Sequence, residues 1–422
     1  MRNALTSAST LWRNAPLRRL QIAALLSGTS GFGYGTALFV WAFRSGGPSS
    51  VGVAGMAVLA PAALLAPFAA VVGDRGRRDR TLAALAGVRA ILLLATAVAM
   101  ASSAPSPVVY AVAALAAVPT RVYYPVQTAL LPSLARSDRE LAAANALAGA
   151  VENVAILAGP GLAGALLAFA APATVVTLAA VVSALVGLLV RDLGQVARER
   201  EEPQHARRDV LAGVATIARN SSLALIVGLF AVETLLFGIL TVAVVALAIE
   251  DLALGSGGVG LLNASVGSGG VLGGAIALSL AARARHGSNL RLASIGWSLP
   301  LALLAILPGL PAALALLVVV GAGNVIVDVA SYTLVQHAAA DAVRARIFGA
   351  FEGVAVTAAA TGTLAGGILV ADLGARTTLL AVGLALPVLT LVLWRPIGRL
   401  DETAPPATRF ESQPGLRTCV DA

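Results

Sequence analysis

Runs of roughly 20 or more nearly uninterrupted apolar residues recur twelve times along this chain, and no other feature restricts its fold so strongly. Inside hydrocarbon every backbone N–H and C=O must find a protein partner, so an isolated run can cross only as a helix. The runs cover residues 20–43, 50–73, 81–101, 106–131, 141–170, 172–191, 222–249, 257–282, 291–309, 311–338, 347–371 and 376–395. Charged residues make up 12% of the chain, against about 25% in a soluble protein, which leaves too few to cover a water-facing surface. These features predict an all-α integral membrane protein with 12 transmembrane helices.

Arginine placement tests that division. The net charge of +8 comes from arginine alone, and those arginines cluster in short loops between apolar runs. That pattern points to a lipid bilayer and not to nucleic acid as the partner. With the N-terminus placed inside, inner segments hold 25 of the 29 arginines, and outer loops hold only Arg44 and Arg376. Arg89 and Arg121 fall within runs. The bias predicts an N-in, C-in, multi-pass topology, and the membrane is expected to be the bacterial cell (inner) membrane. Arg13, Arg18 and Arg19 precede the first run without a convincing cleavage site, so that run reads as a retained span.

The one long inner connection, 192–219, divides the runs six and six. Residues 1–191 are expected as an N-terminal six-helix bundle, 192–219 as a cytoplasmic linker and 220–395 as a C-terminal six-helix bundle. The end of the linker, 209–219, suits a short interfacial helix. Residues 396–422, with prolines and mixed charge, read as a disordered cytoplasmic tail. The chain is expected to be a monomer.

Ionisable groups inside the runs are the functional candidates, because a charge in hydrocarbon costs at least a few kcal/mol. Glu152 lies in such a run, and seven residues on the chain reads Gly159-Pro160-Gly161, with Gly164 beyond. Proline removes a helical hydrogen bond there and glycine lets another backbone come close. In the seventh run Phe230, Glu233, Thr234, Phe237 and Thr241 share one helical face. In the tenth, Asn324, Asp328, Ser331 or Tyr332, and Gln336 form a similar stripe. Arg121 and Asp328 sit at matching depths, which makes them conceivable partners across the bundle. Gly28, Gly31, Gly33 and Gly35 surround Tyr34, so that helix either flexes or packs closely. The stripe of Gly260, Asn263, Gly267, Gly270 and Gly274 reads as helix packing.

Signals for catalysis are weak. The chain has no lysine to complete a phosphate loop, and His205, His286 and His337 are scattered. Cys419 is the only cysteine, so no metal cluster and no internal disulfide is expected. The reading is of a protein that is not an enzyme and needs no cofactor or metal.

The loop after the second run reads Gly73-Asp74-Arg75-Gly76-Arg77-Arg78-Asp79-Arg80, a charged turn suited to latching two bundles together on the inner side. It resembles the signature of the major facilitator superfamily, Gly-x-x-x-Asp-Arg-x-Gly-Arg-Arg/Lys, with Ala70 in place of the leading glycine and one residue missing between Arg75 and Gly76. Residues 121–132, with the following Leu141-Ala-Ala-Ala-Asn145, are similar to the enterobactin-exporter-like, drug-efflux branch. Gly159-Pro160 with Ala163-Gly164 resembles the antiporter signature of that superfamily's fifth span. The resemblance implies two pseudo-symmetric six-helix bundles and alternating access. It also implies export of a drug, siderophore or secondary metabolite in exchange for protons. A cytoplasmic gate at Asp74, Arg75, Gly76, Arg77 and Arg346 would follow. Uptake by symport is the alternative within the same fold, and a non-transporting receptor is a third reading.

An internal repeat completes the picture. Gly149-Ala-Val-Glu152-Asn-Val-Ala155 recurs 200 residues later as Gly349-Ala-Phe-Glu352-Gly-Val-Ala355. It pairs the fifth and eleventh runs and places both glutamates toward the inner side. The candidate cavity and proton-coupling set is therefore Glu233, Asp328, Arg121, Glu152, Glu352, Asn324, Tyr34 and Phe237.

Overall fold

The computed structural model describes residues 14–73, 77–193, 206–281, 286–307, 309–340 and 343–403. Every regular element among them is helical: α1 (Ala15–Gly73), α2 (Arg78–Ala101), α3 (Ser106–Leu134), α4 (Asp138–Leu167), α5 (Pro172–Val190) and α6 (Ala206–Arg219). They continue with α7 (Ser221–Ala246), which passes into a π turn at Leu247–Asp251, then α8 (Gly255–Ala281), α9 (His286–Ile306), α10 (Leu310–Ala338), α11 (Arg344–Val392) and α12 (Trp394–Thr403). Nine helices among the described residues are long and apolar enough to cross a membrane.

The two longest helices are each interrupted. Non-helical backbone at Gly46 and Gly47 divides α1, and at Gly374 it divides α11. Gly47 and Gly374 have φ of +68° and +80°, a region that costs a side chain about 1 kcal/mol or more and glycine nothing. The breaks fall where the first and eleventh apolar runs end. Polar side chains set other boundaries. Ser137 caps α4 by accepting from the Glu140 N–H at 3.2 Å, and the Glu140 carboxylate reaches back to the Arg136 N–H. Asn220 caps α7 by accepting from the N–H groups of Ser222 and Leu223.

Two structured segments depart from expectation. The linker ends in a longer helix, α6, whose Gly213 lies against the Arg346 carbonyl of α11. The segment from Pro396, expected to lack structure, is helical through Thr403 as α12, and Arg291 stacks on Trp394 at its start.

Helices α1–α5 pack as one half and α7–α11 as the other, and the halves meet along α1 with α11 and α4 with α8. Small residues make those seams. A Cβ on Gly164 would stand 2.6 Å from the Gly260 Cα, and one on Gly52 would stand 2.9 Å from the Gly367 Cα. Backbones touch there because van der Waals packing, not a hydrophobic drive, holds helices together in lipid.

The buried residues form three clusters. One spans both halves at the end that holds residues 102–105 and 168–171, and includes Tyr110, Leu167, Leu240, Leu262 and Leu301. At the arginine-bearing end the halves have separate cores, around Leu82, Tyr123 and Leu130 in one and Phe230, Leu334 and Phe351 in the other. The molecule is thus joined at one end and parted at the other.

Candidate functional site

The parting between the halves is lined by side chains that the sequence marked as costly in a membrane. Gly149, Gly349 and Gly353 face open space, and the nearby Arg121, Tyr124, Glu152 and Glu352 are all exposed. In the first half, the Tyr124 hydroxyl of α3 donates to Glu152 of α4 at 3.5 Å. In the second, the Tyr332 hydroxyl of α10 donates to Glu352 of α11. Each half therefore presents one tyrosine–glutamate pair. Tyr124 lies within electrostatic reach of Glu352 as well as Glu152, and Tyr332 within reach of Tyr124, so the pairs face each other.

Behind Glu352 the second half holds two more carboxylates. Asp328 lies one helical turn before Tyr332 on α10, within electrostatic reach of Glu352 and Glu152. Glu233 of α7 is 2% exposed, interacts with Asp328, and accepts a 2.7 Å hydrogen bond from the Asn324 amide of α10. The four acids form a chain from the open gap into the second half. Arg121, on the opposite wall, is the cation facing this group.

Packing explains how Tyr332 is aimed. Phe230 and Phe351 stack at 4.6 Å between ring centroids, and Tyr332 meets Phe351 edge-on at 5.0 Å and stacks on Phe348 at 6.0 Å. Such contacts fix a ring plane and leave the hydroxyl in the gap. The sequence singled out neither Tyr124 nor Phe348 and Phe351 as site residues. Each half carries a tyrosine on the helix before its glutamate, but at different spacings, 28 and 20 residues, so no repeat announced the pairs.

Several expected placements differ. Arg121 does not pair with Asp328; the carboxylate within its electrostatic reach is Glu352 of α11. Tyr34 does not line the gap: it is 8% exposed and stands in the first half beside Arg89. Phe237 packs against the shared core at the joined end. Helix α4 runs unbroken through Gly159-Pro160. Gly159 lies against the Thr29 carbonyl and Phe32 of α1, so this motif makes close packing on one side while Gly164 meets α8 on the other.

At the arginine-bearing end a cluster of ion pairs ties the first half together. Asp74, Arg75 and Gly76 lie outside the described residues. Arg77 binds Asp79 at 2.7 Å and Asp192 at 3.4 Å, both in its own half. Asp79 is fully buried and also accepts from the N–H groups of Arg80 and Leu193, which ties the start of α2 to the end of α5. Arg346 lies at the start of α11, where its carbonyl meets α6. At the joined end, Arg44 of α1 donates to the Ser256 hydroxyl of α8 at 2.6 Å, a bond between the halves. Among the described residues no group of His, Cys, Asp and Glu has the arrangement to hold a metal ion.

Comparison with known proteins adds the following. The profile of the Major Facilitator Superfamily matches residues 20–355. No curated protein matches the sequence. Among solved structures, the nucleoside transporter NupG is similar with a TM-score of 0.72 at 15% identity, over 90% of this chain and 99% of that one. A bacterial homologue of the iron transporter ferroportin, in an inward-facing state, is similar with a TM-score of 0.68 at 16% identity, over 89% and 98%. A bacterial homologue of the lysosomal transporter Spinster, inward-facing and unoccupied, gives a TM-score of 0.69 at 13% identity, over 93% and 99%.

Proposed function

Since the chain belongs to the Major Facilitator Superfamily, we propose that it is a secondary active transporter that exports a small molecule in exchange for protons by alternating access. In this reading the helix breaks at Gly46-Gly47 and Gly374 complete 12 membrane crossings, with both termini and most arginines on the cytoplasmic side of a bacterial inner membrane. The parted end then faces the cytoplasm, so the gap loads substrate from inside. It opens outward when the α1–α11 and α4–α8 seams at the joined end separate.

The observation that carries the proposal is the facing pair of tyrosine–glutamate contacts in a gap closed at one end, backed by Asp328 and Glu233. A carboxylate can hold a proton or a polar substrate group, and the two compete. Deprotonation on the cytoplasmic side would favour substrate entry, and protonation on the outside would favour its release. Glu233 and Asp328 are the proposed proton carriers. Glu152 and Glu352 with their tyrosines serve as the substrate contacts and as an inner gate.

Reconstituted protein in liposomes supplies the test. A panel of drug-like, siderophore and metabolite compounds is presented with an imposed pH gradient, and then with the gradient collapsed. Gradient-driven movement of a compound in exchange for protons is expected. Compound and protons moving in the same direction would overturn export in favour of symport, and no movement of any compound would argue for a receptor. Glu233→Gln is expected to retain exchange of compound between the two sides while losing accumulation driven by the gradient.

A further inference from the structure

Arg89 takes no part in the gap. It lies 11 residues into α2, about 16 Å along the helix axis and so near mid-membrane, and is 5% exposed. One guanidinium nitrogen donates to the Ser27 hydroxyl of α1 at 3.0 Å and makes a longer contact with the Ser27 carbonyl at 3.5 Å. A Cβ on Gly31 would stand 3.1 Å from the other terminal nitrogen, so glycine leaves that side of the guanidinium room. The groups facing it electrostatically are Tyr34 of α1 and Tyr123 of α3. Among the described residues no carboxylate pairs with it.

A buried cation with a single serine for a partner is an expensive arrangement, since charges taken from water are normally paired. The neighbouring hydroxyls make the shortfall one of acceptors specifically. Tyr34 and Tyr123 are 8% and 5% exposed, and neither hydroxyl has a hydrogen-bond partner. Thr96 stands beside Tyr34 without meeting hydrogen-bond geometry, and its own proton goes to the Leu92 carbonyl at 2.8 Å. Three helices thus bring one buried positive charge, whose acceptors are those of Ser27 alone, near two buried O–H donors that have none.

We propose that the N-terminal half holds a small, singly charged anion between Arg89, Tyr34, Tyr123 and Ser27. The ligand is a halide or a small carboxylate. Either would neutralise the guanidinium and accept from both phenols, and the Ser27 hydroxyl, which already accepts from Arg89, has its own proton left to donate. The site lies within one half, so the anion would brace α1, α2 and α3 against one another in every state of the gap. The proposal stands whether or not the chain exports a compound.

The test uses purified full-length protein in detergent, with thermal unfolding followed at constant ionic strength. Gluconate, a bulky reference anion, is exchanged stepwise for chloride, bromide, formate or acetate. A saturable rise in the unfolding midpoint is expected with at least one small anion. Halides alone acting, or formate and acetate alone, would distinguish the two sources. Arg89→Gln should abolish the response, and Tyr34→Phe and Tyr123→Phe should each weaken the anion's apparent affinity about tenfold, the effect of one hydrogen bond to a charged group. The phenylalanine variants retain the charge and the packing, so they decide the matter even if Arg89→Gln does not fold. Absence of a saturable response to every small anion, or a response that the tyrosine variants leave unchanged, overturns the proposal.

Discussion

Asp79 shows at the scale of one residue what a buried carboxylate needs. It is fully buried and accepts from Arg77 and from two backbone N–H groups, whereas Asp192, which also meets Arg77, has a side chain 61% exposed. Asp79→Ala would leave two backbone N–H donors without their acceptor and Arg77 with only the exposed Asp192, and is expected to lower stability by about 2–4 kcal/mol, measured by denaturant or thermal unfolding of the purified protein. Asp192→Ala should change it by less than about 1 kcal/mol. In the gap, Asn324→Leu would remove the donor that holds Glu233 and leave a buried carboxylate without it. Gradient-driven transport in liposomes should fall at least about tenfold, while Asn324→Ser should retain part of it. The carboxylates Glu152, Glu233, Asp328 and Glu352 were legible in the sequence because a charge within an apolar run stands out against its surroundings. Tyr124 was not singled out, and Tyr332 was read as part of a polar stripe but not as a partner of Glu352, because a tyrosine in a membrane helix is equally at home packing its ring and only the fold shows each hydroxyl meeting a glutamate.

At the scale of the helix, small residues decide which faces can touch. Gly164 and Gly260 bring α4 and α8 into backbone contact between the halves, and Gly238 brings α7 against the Ala359 carbonyl of α11 within one half. The consequences of a side chain should differ. Gly164→Leu would wedge the joined end apart. It is expected to shift distances between spin labels on α1 and α11 toward a state open at that end, with an intact fold. Gly238→Leu would instead spoil packing inside the second half, and should lower the unfolding midpoint and the yield of folded protein. The sequence showed the glycine stripe on α8 as a packing surface but not its partner. Pattern along one helix reveals which face is smooth, and the identity of the opposing helix depends on how all the helices are arranged.

At the scale of the whole molecule, the halves share a core at one end and have separate cores at the other. Arg44→Cys with Ser256→Cys, in a Cys419→Ser background, places two thiols across the joined end. A short bifunctional cross-linker is expected to lock that end and stop transport, and a reducible linker should restore it on cleavage. Single cysteines at Gly149 or Gly349, which face open space in the gap, should react with a maleimide applied from the arginine-bearing side and be protected from the other. Reaction from the opposite side alone would reverse the assigned direction.

The repeat linking Glu152 to Glu352, the membrane-scale apolar runs and the arginine bias could all be read from the chain. Each is imposed by lipid on local sequence: hydrocarbon demands apolar helices, and charge within it demands a reason. The pairing of each glutamate with a tyrosine, the placement of Arg121 opposite Glu352, and the removal of Tyr34 from the gap to the side of Arg89 were decided only by tertiary structure. So was the end at which the halves meet. These depend on which faces of separate helices confront one another. A sequence records the face of each helix, while packing of small residues from distant parts of the chain sets the rotation and the partner.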